Sequence, residues 1–336
     1  MNEPVIIDTK GLPDLSLLQD YNKKLEKYAK PLTPESRKNS NRGLFDITSD
    51  IIRKPGYRKL IEQSKIEGKK VIEKTLAHLV NVFDRDSTYL EKLPSIHITD
   101  PVDVSHTHSL IAIDGFTAPI SYVQINYFTL HGNSYLGEPN GPVISLHLPD
   151  VDHSVIVEES FHFLQWFYTI SNHQKNSNRD TNLKKNASDQ VNNNNVSLNI
   201  ERSFSLDIAL EAEAYFILSL FNLSRDLTPG DNHKDHYESL FNKLINENRD
   251  ACFHEILEFN KAESFEDLMK NRNHFTRMVG SFPDLMNHYL GYSLGKELHN
   301  HTYTKQDVIN LTNLIFSTPE DPNNRLDGLI NYLRKK

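Results

Sequence analysis

The sequence predicts an α+β protein in which helices predominate. Apolar residues recur at spacings of three and four over residues 1–92 and again from residue 200 onward, which is the period of an amphipathic helix. Between these regions lie short runs rich in β-branched and aromatic residues, which favour strands. With 336 residues, of which 38% are hydrophobic, the chain is long enough to bury a substantial core.

Composition excludes several classes of function. The net charge of −8 argues against a nucleic-acid partner, and no apolar run reaches the ~18–20 residues that a membrane-spanning helix needs. The N-terminus, MNEPVIIDTKGLPDLS, lacks the basic start and apolar core of a signal peptide. Cys252 is the single cysteine, so no disulfide framework and no thiolate metal site are expected. We therefore expect a protein that is cytoplasmic, or exported without an N-terminal signal peptide.

Residues 1–92 are expected to form an N-terminal helical segment. Its apolar period is broken near Pro31 and Pro34 and again at Pro55, and prolines are typical of helix boundaries. The predicted helices are Leu15–Ala29, Gly43–Arg53 and Tyr57–Phe83.

Residues 93–172 are expected to hold a small sheet followed by one apolar helix. Glycine, proline and asparagine turns bound the short runs, and four strands in so short a segment favour one mixed or antiparallel sheet. The predicted strands are Ser95–Thr99, Ser109–Asp114, Ser121–Leu130 and Pro142–Leu148.

An Asn-rich insert, residues 173–199, interrupts the pattern. It has too few apolar residues to offset its ordering entropy, so we expect a mobile loop. Residues 200–336 are then expected to form a helical half that completes the same domain. Its predicted helices are Ser203–Leu223, His236–Arg249, Ala251–Phe259, Phe265–Met278, Phe282–His299, Lys305–Phe316 and Leu326–Arg334.

The apolar helix His153–Thr169 contains three ionisable residues, Glu158, Glu159 and His162. Burying an unpaired charge costs several kcal/mol, so these groups need partners, and a bound metal is one that would hold all three. Glu158 and His162 are four residues apart, which places their side chains on one helix face about 5–6 Å apart at Cβ. Glu159 lies one step around the helix, where it would reach a metal-bound water.

A third ligand is expected from another buried helix. The segment Leu210–Leu218, LEAEAYFIL, offers Glu211 and Glu213. Residues two apart point about 200° from each other around a helix, so only one of them can face the metal directly. The sequence leaves open which of the two it is, although the resemblance described next assigns Glu211.

The combination of E-x-x-H in the first helix and E-x-E-A in the second resembles the gluzincin metalloproteases, with E-E-x-x-H in place of H-E-x-x-H. The resemblance covers roughly residues 93–300 and implies a zincin-like fold. It also implies that Glu159 is the general base, that His162 and Glu211 are ligands, and that Glu158 fills the position of the missing histidine. The implied cofactor is one divalent metal ion.

A further segment, HYLGYSLGKEL at His288–Leu298, resembles the Y-x-x-G-Y-x-L-G helix of some predicted zinc-dependent proteases. A tyrosine there, Tyr292, would stabilise the oxyanion of a tetrahedral intermediate. The implied activity is hydrolysis of a peptide bond in a peptide or protein substrate. Zinc is the expected metal, and the extra carboxylate of Glu158 makes the site more hospitable to iron or manganese.

Three other interpretations are open. The same fold, altered at Glu158, would suit a non-catalytic binding protein. Glu159-x-x-His162 supplies one of the two E-x-x-H motifs of a carboxylate-bridged di-iron oxidase, although the preceding strands do not belong in such a bundle. Finally, the acidic residues would face solvent and His162 would be a packed core histidine if no ligand were involved.

Overall fold

The computed structural model describes residues 3–38, 40, 42–85, 93–105, 143–165, 193–224, 234–264, 282–317 and 324–336. These residues form two compact units, Thr9–Phe163 on the one hand and Met1–Asp8 with Leu164–Lys336 on the other. Helices predominate in the described ranges, and two strands accompany them, so the α+β class is confirmed at that level. None of the described helices is long and apolar enough to cross a membrane.

The first unit begins with helices where the sequence predicts them. Helix α4 starts at Pro55, whose fixed φ suits the first helical position and whose missing N–H loses no bond there. Its apolar residues at three- and four-residue spacing, such as Ile72, Leu76 and Leu79, are buried, as the period predicts. The helices of this region are α1 (Ser16–Ala29), α2 (Pro34–Lys38), α3 (Leu44–Arg53) and α4 (Pro55–Val82).

Two strands, β1 (Ser95–Thr99) and β2 (Val143–His147), pair in parallel with Ser95 opposite Val143. Their positions agree with two of the predicted strands. Gly68 of α4 lets the helix lie close to the strands, since a Cβ built there would be 2.8 Å from Leu146 Cδ1. The other two predicted strands, at 109–114 and 121–130, lie outside the described residues.

Helix α5 (His153–Gln165) follows β2 after a single 3-10 turn at Leu148–Asp150. Asp152 caps its start, because Oδ1 of Asp152 accepts hydrogen bonds from Val155 N at 2.9 Å and from Ser154 Oγ at 2.6 Å. The strand therefore leads into the predicted metal helix, as the sequence indicates.

A buried acidic cluster lies just after β1. The Tyr57 hydroxyl of α4 donates to Asp100 Oδ2 at 2.5 Å, and Asp100 Oδ1 accepts from Val102 N at 2.7 Å. The next carboxyl, Asp103, is hydrogen-bonded to Asp100 as well. Burial, followed by the charge of Asp100 and this hydrogen bond, raises the pKa of Asp103 to about 7.

The second unit contains the C-terminal helices. Their positions match the predicted helices within a few residues, except that the first begins at Asn193 rather than near Ile200. The predicted helix 265–278 and the insert residues 173–192 lie outside the described residues. The helices are α6 (Asn193–Leu220), α7 (Lys234–Asn246), α8 (Arg249–Phe259), α9 (Phe282–Asn300), α10 (Lys305–Ile315) and α11 (Asn324–Arg334).

Two glycines of α9 bring this helix against the backbone of α6. A Cβ built at Gly295 would overlap Ala212 O and would lie 2.8 Å from Phe216 N. A Cβ at Gly291 would overlap Glu211 Cβ. Because backbone atoms cannot rotate away, only glycine permits this spacing of the two helices.

The N-terminal residues 3–8 are tied to the same unit by their backbone. Val5 N donates to Thr302 O at 2.9 Å, and Ile7 N donates to Leu220 O at 2.6 Å. His299 Nε2 also lies 3.0 Å from Val5 O. Burial lowers the pKa of His299, which favours a neutral imidazole that donates to this carbonyl.

Substituting alanine for Gly295 is expected to destabilise the protein by about 1–3 kcal/mol, because the new methyl group pushes α9 away from α6. Urea denaturation measures the effect. Gly328→Ala in α11 is the matched control: its Cβ would meet Leu314 Cδ1 at 3.6 Å, an ordinary contact, so a gain of up to about 1 kcal/mol from helix propensity is expected. Equal effects of the two substitutions would contradict the close-packing explanation.

The pair formed by buried Asp100 and half-buried Asp103 predicts a pH dependence of stability. The pKa of Asp103 is raised from 3.8 to about 7 on folding, so its favourable contribution is full below the unfolded pKa and is lost as the pH rises towards 7. As the pH rises from 3.8 to about 7, the free energy of unfolding should therefore decrease by at most about 1.4 kcal/mol per pH unit. Above pH 7 it should no longer change through this group. Denaturation of the wild type and of Asp103→Asn across this range tests it; an unchanged slope in the variant would exclude Asp103 as the titrating group.

Candidate metal site

Helix α5 carries the ionisable residues singled out in the sequence. His162 is 5% exposed, and Glu158, one turn earlier, is partly exposed. Glu211 of α6 is also partly exposed. Each of these three side chains offers one ligand atom, and the three atoms all lie within 4.8 Å of one another. A group of two glutamates and one histidine that is able to hold a metal ion is therefore present.

The last residues of α5 and helix α6 contact each other within one unit. The division between the units falls inside α5, after Phe163, so Gln165 at the end of this helix belongs with α6. Nε2 of Gln165 donates to Leu210 O at 2.9 Å and to Glu213 Oε2 at 2.7 Å.

The donor set fits a divalent cation. Two carboxylates bring negative charge that a divalent ion neutralises, and one imidazole adds a nitrogen ligand. Two atoms bound to the same zinc ion at about 2.0–2.2 Å are at most about 4.4 Å apart. A span within 4.8 Å thus needs only small side-chain movements to close around an ion. The same oxygen-rich set also suits iron or manganese, and the geometry does not select among these metals.

Glu213, the other acid of the E-x-E-A segment, has a different role. It is fully buried and forms a two-pronged ion pair with Arg325 of α11, with Nε to Oε1 at 2.6 Å and Nη2 to Oε2 at 3.0 Å. Arg325 also donates to the carbonyl oxygens of Ile315 and Ser317. Of the two acids that the sequence leaves open, Glu211 belongs to the group that could hold a metal ion and Glu213 is engaged in this ion pair.

Glu211 has a partner in α9. Nδ1 of His288 lies 3.0 Å from Glu211 Oε2, and the side chain of His288 is 47% exposed whereas that of Glu211 is 16% exposed. The sequence places His288 at the start of the segment His288–Leu298 but does not indicate its contact with Glu211. Gln165 and Arg325 are also missed by the sequence argument. Of these residues, only Gln165 could have been identified from the sequence, since it lies one turn after His162 on the same helix.

Glu159 is 6% exposed and follows Glu158 in α5, where adjacent side chains diverge by about 100°. Its assignment as general base stays a prediction. Tyr292 of α9 is 8% exposed, and its ring packs edge-on against Tyr215 at 5.2 Å between centroids. Its hydroxyl accepts a long hydrogen bond from Lys296 Nζ at 3.5 Å. Its assignment as oxyanion donor likewise stays a prediction.

Removing one partner of the buried ion pair is expected to cost about 3–5 kcal/mol, because the other charge is left uncompensated. Arg325→Met should show this loss in urea denaturation. The double variant Arg325→Met with Glu213→Gln should be more stable than Arg325→Met alone, since no unpaired carboxylate is then buried. A loss below about 1 kcal/mol for Arg325→Met, the range of an exposed pair, would contradict the role assigned to Glu213.

Neither a protein-family model, nor a curated protein, nor a solved structure matches this chain. The zincin-like fold and the gluzincin resemblance therefore stay predictions from sequence.

Proposed function

We propose that this protein is a metal-dependent hydrolase of peptide bonds, in which Glu158, His162 and Glu211 hold one divalent cation and Glu159 is the general base. The observation that carries the proposal is the approach of the three ligand atoms to within 4.8 Å of one another. The placement of Glu159 directly beside Glu158 in the same helix supports the choice of base.

A divalent cation in such a site supplies a polarised carbonyl and a water molecule that is acidic near neutral pH. The residues of the chain itself position the reacting groups and transfer protons. Glu159 takes the proton of the attacking water and returns it to the leaving amine. Its low exposure, 6%, keeps bulk water from competing for that proton.

The carboxylate of Glu158 distinguishes this site from one with two histidines. It adds negative charge at the metal, and a bound water next to an extra anion is less acidic. We propose zinc as the metal, with iron and manganese as the competing ions for an oxygen-rich set. Tyr292 is proposed to donate its hydroxyl to the oxyanion that forms on the substrate carbonyl.

Metal content and peptide hydrolysis of the full-length protein test the proposal together. The wild type should bind one zinc, iron or manganese ion per chain by elemental analysis, and a chelator should remove both the ion and the cleavage of a fluorogenic peptide library. Glu159→Gln should keep the metal and lose turnover by about 10²–10⁴-fold. Glu258→Gln, an acid of α8 that is 70% exposed at its side chain, is the matched control and should change neither property.

The alternatives give different results. If the wild type binds metal but cleaves no peptide, Glu159→Gln has no activity to remove. This result would favour a non-catalytic binding protein that uses the same site. Two iron ions per chain would favour the di-iron oxidase. A wild-type chain that binds no divalent metal at micromolar concentration would overturn the proposal altogether.

A further inference from the structure

Helix α9 contacts Glu211 through a residue that is not part of the group Glu158, His162 and Glu211. This residue is His288, whose Nδ1 lies 3.0 Å from Oε2 of Glu211. This distance is that of an ion-pair contact between an imidazole nitrogen and a carboxylate oxygen. The carboxylate of Glu211 therefore lies between His288 on one side and the ligand atoms of Glu158 and His162, within 4.8 Å, on the other.

A second feature of α9 places the helix at this point. Gly291 is three residues after His288, so the two residues share one helix face. At Gly291 the backbone of α9 is so close to α6 that a Cβ would overlap Glu211 Cβ and would lie 3.0 Å from Ala212 N. The packing of Gly291 therefore fixes the backbone end of Glu211, and the imidazole of His288 contacts its carboxylate.

We infer that His288 is a positioning residue that orients the Glu211 carboxylate towards the cation. This inference rests on the metal-binding part of the proposed function. Groups that hydrogen-bond to metal ligands fix the orientation of those ligands, and removing one typically weakens metal binding by about 10–100-fold. His288 is half exposed, and a half-exposed ion pair adds little to folding stability. Its effect should therefore appear in metal affinity rather than in stability.

The affinity of the full-length chain for Zn²⁺, measured by competition with a chromophoric chelator, tests the inference. His288→Ala should raise the Kd by about 10–100-fold. His288→Gln, whose amide N–H is a donor that can contact the same carboxylate, should restore much of the affinity. The thermal midpoints of the metal-free proteins should be similar. His254→Ala is the matched control, because His254 of α8 lies 3.6 Å from Glu258 in an exposed pair; its Kd should equal that of the wild type.

Cobalt substitution separates positioning from direct ligation. If His288 acts through Glu211, X-ray absorption of the Co²⁺ protein should find the same number of imidazole ligands in the wild type and in His288→Ala. One imidazole fewer in the variant would make His288 a ligand and overturn the positioning role.

The remaining outcomes are equally decisive. A wild-type chain that binds zinc with an affinity shared by His288→Ala overturns this inference and leaves the metal site intact. A His288→Ala protein whose metal-free form is strongly destabilised, with no rescue by glutamine, points to a purely structural role and overturns it too. A wild-type chain that binds no zinc, cobalt, iron or manganese overturns the inference together with the proposed function.

Discussion

The burial of Glu213 is the constraint on which the second unit depends. A fully buried carboxylate must be compensated, and its partners come from two other helices: Arg325 from α11 and Gln165 from the end of α5. These partners fix the rotation of α6 about its own axis. Glu211 lies about 200° around the helix from Glu213, so the structural ion pair also determines where the candidate ligand points.

The position of α9 beside Glu211 is determined by packing rather than by charge. Gly291 and Gly295 are one turn apart and lie against the α6 backbone, so the spacing of the helices there is the smallest that two backbones allow. This contact places His288 within hydrogen-bond distance of Glu211. Charge compensation on one side of α6 and backbone contact on the other thus hold the same short segment of this helix.

Much of the fold was accessible from the sequence, because local periodicity determines it. β1 and the bounds of α1 and α3 follow from apolar spacing and turn residues, and the spacing of Glu158 and His162 indicates that they share a helix face. The choice between Glu211 and Glu213 was not accessible from the residue pattern alone, although the gluzincin resemblance assigns Glu211. Both fit the helical period, and what separates them is Arg325, an ion-pair partner 112 residues away that no local pattern indicates.

The backbone contact between α6 and α9 limits how this site can evolve. At most positions around a ligand, the exchange of one side chain for a larger or smaller one reshapes the cavity in steps. At Gly291 and Gly295 there is no side chain to exchange, and any larger residue meets main-chain atoms. Variation among the side chains near this segment must therefore arise at other positions, because the packing of α6 against α9 is fixed at these two glycines.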